Sequence, residues 1–300
     1  MYLMSTRYSD HGINTISDVE IYKASFNLKN KKKQIYHLRM DYNDTVSAFD
    51  TIQFFRTSVL PTINNPFVCI ISGEDLTFPN QVDIRWQEKN QLDLIKGTYN
   101  DIINHPMLLH CYIENMDELN SKTSPLPIGI NPREMPEYNI DYILKYMNNY
   151  STIKSRDLKV ISIHRSRPGD RDIINNLNQT HWKDYVISDG NYYKDTWWRL
   201  LQSYPFIICA HGGGIDPCPK VWEALCVGCI PIIKHSTLDD IYSQFPIVIV
   251  DNWEPQTISH DNLINWIEKY SKYYDNSVLR SEWVHKLSLI YWKDKINSHF

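Results

Sequence analysis

Short, nearly unbroken apolar runs recur along the chain: FVCIIS at 67–72, KVISIH at 159–164, YVIS at 185–188, FIICAH at 206–211, IPII at 230–233 and PIVIV at 246–250. They lack the alternation of a half-wetted antiparallel sheet, and segments long enough for helices separate them. An α/β fold with parallel sheets follows. In the second half the pattern predicts strands at 159–164, 184–188, 206–210, 230–233 and 246–250. Helices are expected at 170–178, at 192–203 with Trp197, Leu200 and Leu201 facing inward, and from near Pro217 to about Val227. Gly228 then turns the chain, a short helix runs through Tyr242, and helices near 257–274 and 277–290 follow. This is a Rossmann-like unit.

The first half is less regular. Candidate strands are QIYHLRM (34–40), FVCIIS and MLLHCYI (107–113), with helices around 46–58, 88–104 and 138–148. The polar segment NNYSTIKSRD (148–157) reads as a linker, giving domains 1–150 and 151–300. The Trp-rich tail EWVHKLSLIYWKDKI is expected to pack back across the first domain. The basic triplet Lys31-Lys32-Lys33 reads as a solvated turn.

Composition narrows the class. Over 300 residues, 42% hydrophobic and 22% charged side chains describe a globular chain, and 31 basic against 35 acidic groups leave a formal charge of −4. That balance argues against a broad grip on nucleic acid, which needs many phosphate-neutralising cations. No run approaches the ~18 to 20 apolar residues of a membrane span, and the start has neither the charged nor the apolar region of a secretion signal. A cytoplasmic protein is expected, in which the six cysteines are free thiols and the three Asn-X-Ser/Thr sites carry no sugar. Cys226-Val-Gly-Cys229 has metal-ligand spacing but no second pair to complete a set, so burial is the expected role.

Ligands of open parallel sheets bind beyond the carboxyl ends of the strands, so the loops there carry the candidate chemistry. In AHGGGIDPCPKVWEAL (210–225), Gly212, Gly213 and Gly214 expose backbone amides before a helix whose N-terminus favours phosphate. Glu223, about two turns into that helix, is placed to accept both hydroxyls of a ribose. HRSRPGDRD (164–172) sets Arg165, Arg167 and Arg171 just past a strand, where their forks suit a diphosphate. Asp170-Arg171-Asp172 matches the metal-binding DxD pattern, yet acids are welcome at any helix start, and no metal is expected. SGEDLTFP (72–79) offers Glu74 and Asp75 after a first-domain strand, where a carboxylate can take a proton from a hydroxyl. PLPIGINP (125–132) is a fourth strand-end loop.

From 210 to 253 the order His-Gly-x-Gly-x-Asp, Trp-Glu-Ala-Leu, Gly-Cys-Ile-Pro and a closing apolar strand ending in Asp resembles the exostosin-type glycosyltransferases and their plant and viral relatives. Weaker echoes are SGEDLTFP, HCYIENMD, PLPIGINP and YWKDKI; the first 30 residues show none. The resemblance implies a GT-B fold of two facing Rossmann-like domains. It implies a metal-independent, inverting transfer of a sugar, such as the pentose xylose, from a nucleotide sugar, UDP-linked by analogy, to a glycan hydroxyl, with no other cofactor. Donor-binding residues would be Arg165, Arg167, His211, Gly212, Gly213, Gly214, Asp216, Lys220 and Glu223, with Asp75 the base and Glu74 its fallback. Golgi-resident relatives carry a membrane anchor that this sequence lacks, which points to a cytosolic or virus-encoded setting. A non-catalytic protein binding nucleotide or glycan is the competing reading. An α/β-hydrolase, suggested by HGGG, lacks the Gly-x-Ser-x-Gly elbow it requires.

Overall fold

The computed structural model describes residues 3–6, 12–30, 32, 34–40, 45–73, 75–83, 85–130, 152–190, 192 and 194–300. The helix expected at 138–148, the start of the linker and Glu74 lie outside the described residues.

The first sheet contains β1 (Val19–Tyr22), β2 (Ser25–Leu28), β3 (Ile35–Arg39), β4 (Phe67–Ser72), β5 (Leu108–Ile113) and β6 (Thr123–Pro125), in the order β2-β1-β3-β4-β5-β6. All neighbours are parallel except the β1–β2 hairpin. All six residues of β4 are buried, as a central strand covered on both faces requires, and this explains its unbroken apolar sequence. Helices α1 (Thr45–Phe54), prolonged by one wide π-type turn to Val59, and α2 (Lys89–Ile103) cover it. The sequence pattern missed three strands of this sheet. β2 is an edge strand exposed along its whole length, with Phe26 58% accessible, so burial never shaped its composition. β1 has only four residues, and β6 is the peptide Thr-Ser-Pro on the other edge, where proline is tolerated.

The second sheet holds β7 (Val160–Ile161), β8 (Val186–Ile187), β9 (Phe206–Ile208), β10 (Ile230–Lys234) and β11 (Val248–Val250), all parallel in the order β11-β10-β9-β7-β8. Around it lie α3 (Asp170–Gln179), α4 (Lys194–Ser203), α5 (Lys220–Val227) and α6 (Asp239–Tyr242). From β7 the chain first builds outward to β8 and then returns to lay β9 on the other side of β7. The strand order therefore reverses between β7 and β9, and the loops leaving these strands splay apart. Two expected boundaries move. Helix α5 starts at Lys220 rather than near Pro217, because the backbone of Cys218 is left-handed (φ 81°). The helix expected at 277–290 is two: α8 (Ser277–Val284), then, after a 3-10 turn, α9 (Leu289–Asn297), started by the Ser288 hydroxyl accepting from Tyr291 N–H at 3.3 Å. Gly228 ends α5 at φ 72°, as its position in the sequence suggests.

Two Rossmann-like units, parallel in every strand pair but β1–β2, meet through their strand-end loops along an interdomain cleft, and the C-terminal helix returns to the first domain. After α7 (His260–Asp275) and α8, the Leu287 carbonyl accepts from Met4 N–H at 2.8 Å. Beyond α9, His299 stacks on His110 of β5 at 4.5 Å between ring centres, and its Nε2 lies 2.9 Å from the Tyr112 hydroxyl. Burial, with Lys295 nearby, lowers the pKa of both imidazoles, that of His110 to about 4. They are harder to protonate folded than unfolded, so the unfolded chain takes up more protons as pH falls below 6.5, and this clasp loses stability down to about pH 4. Melting temperature should drop over that window, and His110→Phe, which keeps a ring on His299 but does not titrate, should flatten the drop.

Candidate functional site

The reversal between β7 and β9 opens between the loops 162–169 and 209–219, the places where the sequence puts its arginines and glycines. Arg171, in the first turn of α3, donates from Nε to the His211 carbonyl at 2.9 Å and so ties the two loops together. A methyl group added at Gly212 would lie 3.5 Å from Arg171 Nη2 and 3.9 Å from Arg167 Nη1, so both guanidinium groups flank the glycine backbone. Arg165 is exposed beside them.

The first domain meets this loop with Asp75. Its Oδ2 is 2.7 Å from Arg85 Nη2 and 3.7 Å from Arg167 Nη1, the second an ion pair across the cleft. A methyl group at Gly213 would lie 2.6 Å from the same oxygen and overlap Arg85. Asp75 thus faces the glycine loop, and a side chain opposite it would have to displace the Asp75 and Arg85 side chains. Asn115, from the segment after β5, fixes the approach: its Oδ1 accepts the Ile215 N–H at 3.0 Å and the Asp216 N–H at 2.9 Å.

The structure reassigns Asp216. Its side chain is buried, accepting from Cys218 N–H at 3.0 Å, Tyr242 Oη at 2.7 Å and, across the domains, Ile128 N–H at 3.3 Å. It is a strut under the loop rather than a group lining the cleft. Burial raises its pKa to about 8, with the neighbouring Glu114 charge adding to the rise and the Tyr242 and Ile128 hydrogen bonds opposing it. Lys220 also turns inward, bonding the Ile163 carbonyl with its Nζ 5.5 Å from the Trp197 ring. Glu223 is only 5% exposed, and its Oε2 accepts from the Trp197 indole at 2.8 Å, so this carboxylate is held by α4 at the inner end of the loop.

Two histidines stand at the ends of β7 and β9. His211 lies 3.5 Å from Asp170, and His164 faces Lys220 and Arg171. Burial lowers each pKa to about 4, so both rings are neutral at pH 7. Both ring nitrogens of His164 and Nε2 of His211 are buried without a hydrogen-bond partner. Unsatisfied polar atoms of this kind cost free energy until a ligand supplies their partners. The two acids of the DxD match diverge: Asp170 pairs with Lys234 at 2.9 Å and Asp172 accepts from Ser166 at 2.6 Å. Among the described residues no three His, Cys, Asp or Glu side chains gather as a metal site. Cys226 and Cys229 are fully buried.

Motif reading found the loops but passed over Arg85, Asn115 and His164. Asn115 stands within HCYIENMD and His164 closes an apolar run; Arg85 follows no strand and carries no sequence signal. A cavity of about 730 Å³ lies elsewhere, between β11, α7 and α8, lined by Phe245, Tyr270, Tyr273 and Trp283 with lysines at its rim. It contains none of the strand-end loops.

Because one amide oxygen holds two backbone N–H groups across the domain boundary, Asn115→Ala should cost about 1 to 3 kcal/mol in urea unfolding. Asn115→Asp, which keeps the acceptor, should recover part of it.

No family model and no curated protein matches the chain. Among 13 matching chains of solved structures is the crystal structure of TarM, 11% identical, with a TM-score of 0.28. The match covers 84% of this chain and 57% of that one, so the chain spans little more than half of TarM.

Proposed function

We propose that the protein is an inverting, metal-independent glycosyltransferase that moves a sugar from a nucleotide sugar, UDP-linked, to a hydroxyl of a glycan, in the manner of the exostosin-like enzymes its 210–253 segment resembles. The observation that carries this reading is Asp75 of the first domain facing Gly213 and Arg167 of the second across the strand-order reversal. A carboxylate on one wall and an anion-binding loop on the other are the two halves of a single in-line displacement.

In that displacement Asp75 takes the proton of the acceptor hydroxyl while its oxygen bonds to the anomeric carbon. On the opposite face the bond from that carbon to the diphosphate breaks, and its electron pair leaves on the diphosphate oxygen. Arg165, Arg167 and the backbone of 212–214 receive that charge, which grows as the bond breaks, so their attraction is stronger in the transition state than before it. His211 lies beside the reacting sugar. Glu223, oriented by the Trp197 indole, accepts from the ribose hydroxyls far from the reacting carbon.

The roles separate kinetically. Asp75→Asn keeps the volume and removes the base, so kcat should fall about 10²- to 10⁴-fold. Glu223→Gln should instead raise the donor KM by about 1 to 3 kcal/mol with kcat largely kept, because a ribose contact is made equally in ground and transition states. Nucleotide release from a panel of nucleotide sugars, with acceptor glycans and excess EDTA, measures both; turnover that stops in EDTA and returns with Mn²⁺ would overturn the metal-independent mechanism.

A further inference from the structure

Arg85 belongs to no motif, yet it lies at a contact between the two domains. Behind it, Asp83 Oδ1 accepts the Arg85 backbone N–H at 3.0 Å and its Nε at 3.0 Å, and Oδ2 accepts Nη2 at 2.5 Å. The Asp83 side chain is 2% exposed, so a buried charge anchors the guanidinium in one orientation. In front, Nη2 is 2.7 Å from Asp75 Oδ2 and occupies the space that a side chain at Gly213 would take. A first-domain arginine is therefore laid on the second domain's glycine loop, with Arg167 on the same Asp75 oxygen.

We propose that Arg85 is a first-domain ligand for the donor diphosphate, and that Asp75 and the diphosphate compete for it. The proposal rests on the donor reading above and adds to it a coupling between the two walls of the cleft. In the arrangement of the structure, Asp75 Oδ2 is engaged by guanidinium groups and is not offered to an incoming hydroxyl. A diphosphate brings more charge and more acceptor oxygens than one carboxylate, and it suits the guanidinium fork. When it seats on the 212–214 backbone, Arg85 and Arg167 turn to it and Asp75 Oδ2 becomes available to the acceptor proton. Asp83 keeps the guanidinium within reach in both arrangements. The base is thus presented only when a leaving group is in place.

The test is calorimetric binding of inorganic pyrophosphate and of UDP to the full chain. Arg85→Gln should weaken both about tenfold or more, the loss of one charge-assisted contact of about 1.5 kcal/mol or more. Asp75→Asn should tighten both several-fold by removing the competitor, and that gain should shrink in the double variant, a non-additivity that a merely structural role for Arg85 does not produce. Arg85→Gln leaves the Asp83 charge buried, so Arg85→Gln with Asp83→Asn is measured alongside; folded by thermal melting, it should bind pyrophosphate as weakly. Unchanged affinity in the Arg85→Gln variants, or an undiminished Asp75→Asn gain in the double variant, would overturn the competition while leaving the donor reading standing. Failure of the wild-type chain to bind either probe would overturn the donor reading, and the proposal with it.

Discussion

The contact between the Gly212–Gly214 backbone and the first domain sets the geometry on which everything else at the cleft depends. A side chain at Gly213 would overlap Arg85, and one at Gly214 would overlap Asn115 and lie 2.8 Å from the Asp75 carbonyl. Removing side chains at these positions lets two domains approach to backbone distance, and Asn115 converts that approach into hydrogen bonds. Beneath the loop, Asp216 joins Tyr242, Cys218 and Ile128 in one buried cluster. The loop is therefore held from both domains, and the groups it carries keep a fixed relation to Asp75.

Electrostatics at the cleft runs against the chain's average. The whole protein is slightly acidic, yet Arg85, Arg165, Arg167 and Arg171 converge on one loop, answered in part by Asp75 and Asp83. Around them burial shifts several groups toward their neutral forms: it lowers the pKa of His164 and His211 and raises that of Asp216. Asp170 paired with Lys234, together with Lys220 and Glu223, adds further charges around the same loops. Arg85 and Arg167 are about one-third exposed, so solvent screens their contacts with Asp75 in part.

The order of the second sheet gives these residues a common location. β7 and β9 are neighbours in space although β8 and two helices lie between them in the chain. Only that reversal brings the loop at 162–169 beside the loop at 209–219. The first sheet runs through its parallel strands in sequence order and contributes one loop from a strand end, after β4, together with Asn115 after β5.

Some of this is written locally in the chain. Uninterrupted apolar runs mark β4, β9 and β10, since a strand covered on both faces has no polar side; glycines follow the β4 and β9 runs, and the arginines follow the run that holds β7. The sequence also places Asp75 in a strand-end loop toward the interdomain cleft, but does not give its approach to Gly213. The edge strands β2 and β6 are not legible, because an exposed or three-residue strand leaves little apolar imprint, and the buried β1 is only four residues with a glutamate inside it. Nor are the turning inward of Asp216 and Lys220, the indole that holds Glu223, or the place of Arg85. Each of these depends on a partner far along the chain: Asp216 on Ile128, 88 positions away, and Glu223 on Trp197, 26 positions away. Local sequence determines which polar residues follow each strand and where a strand must end; which of them face the cleft is decided by tertiary packing within and between the domains, where the energy of a contact depends on distance in space and not on separation in the chain.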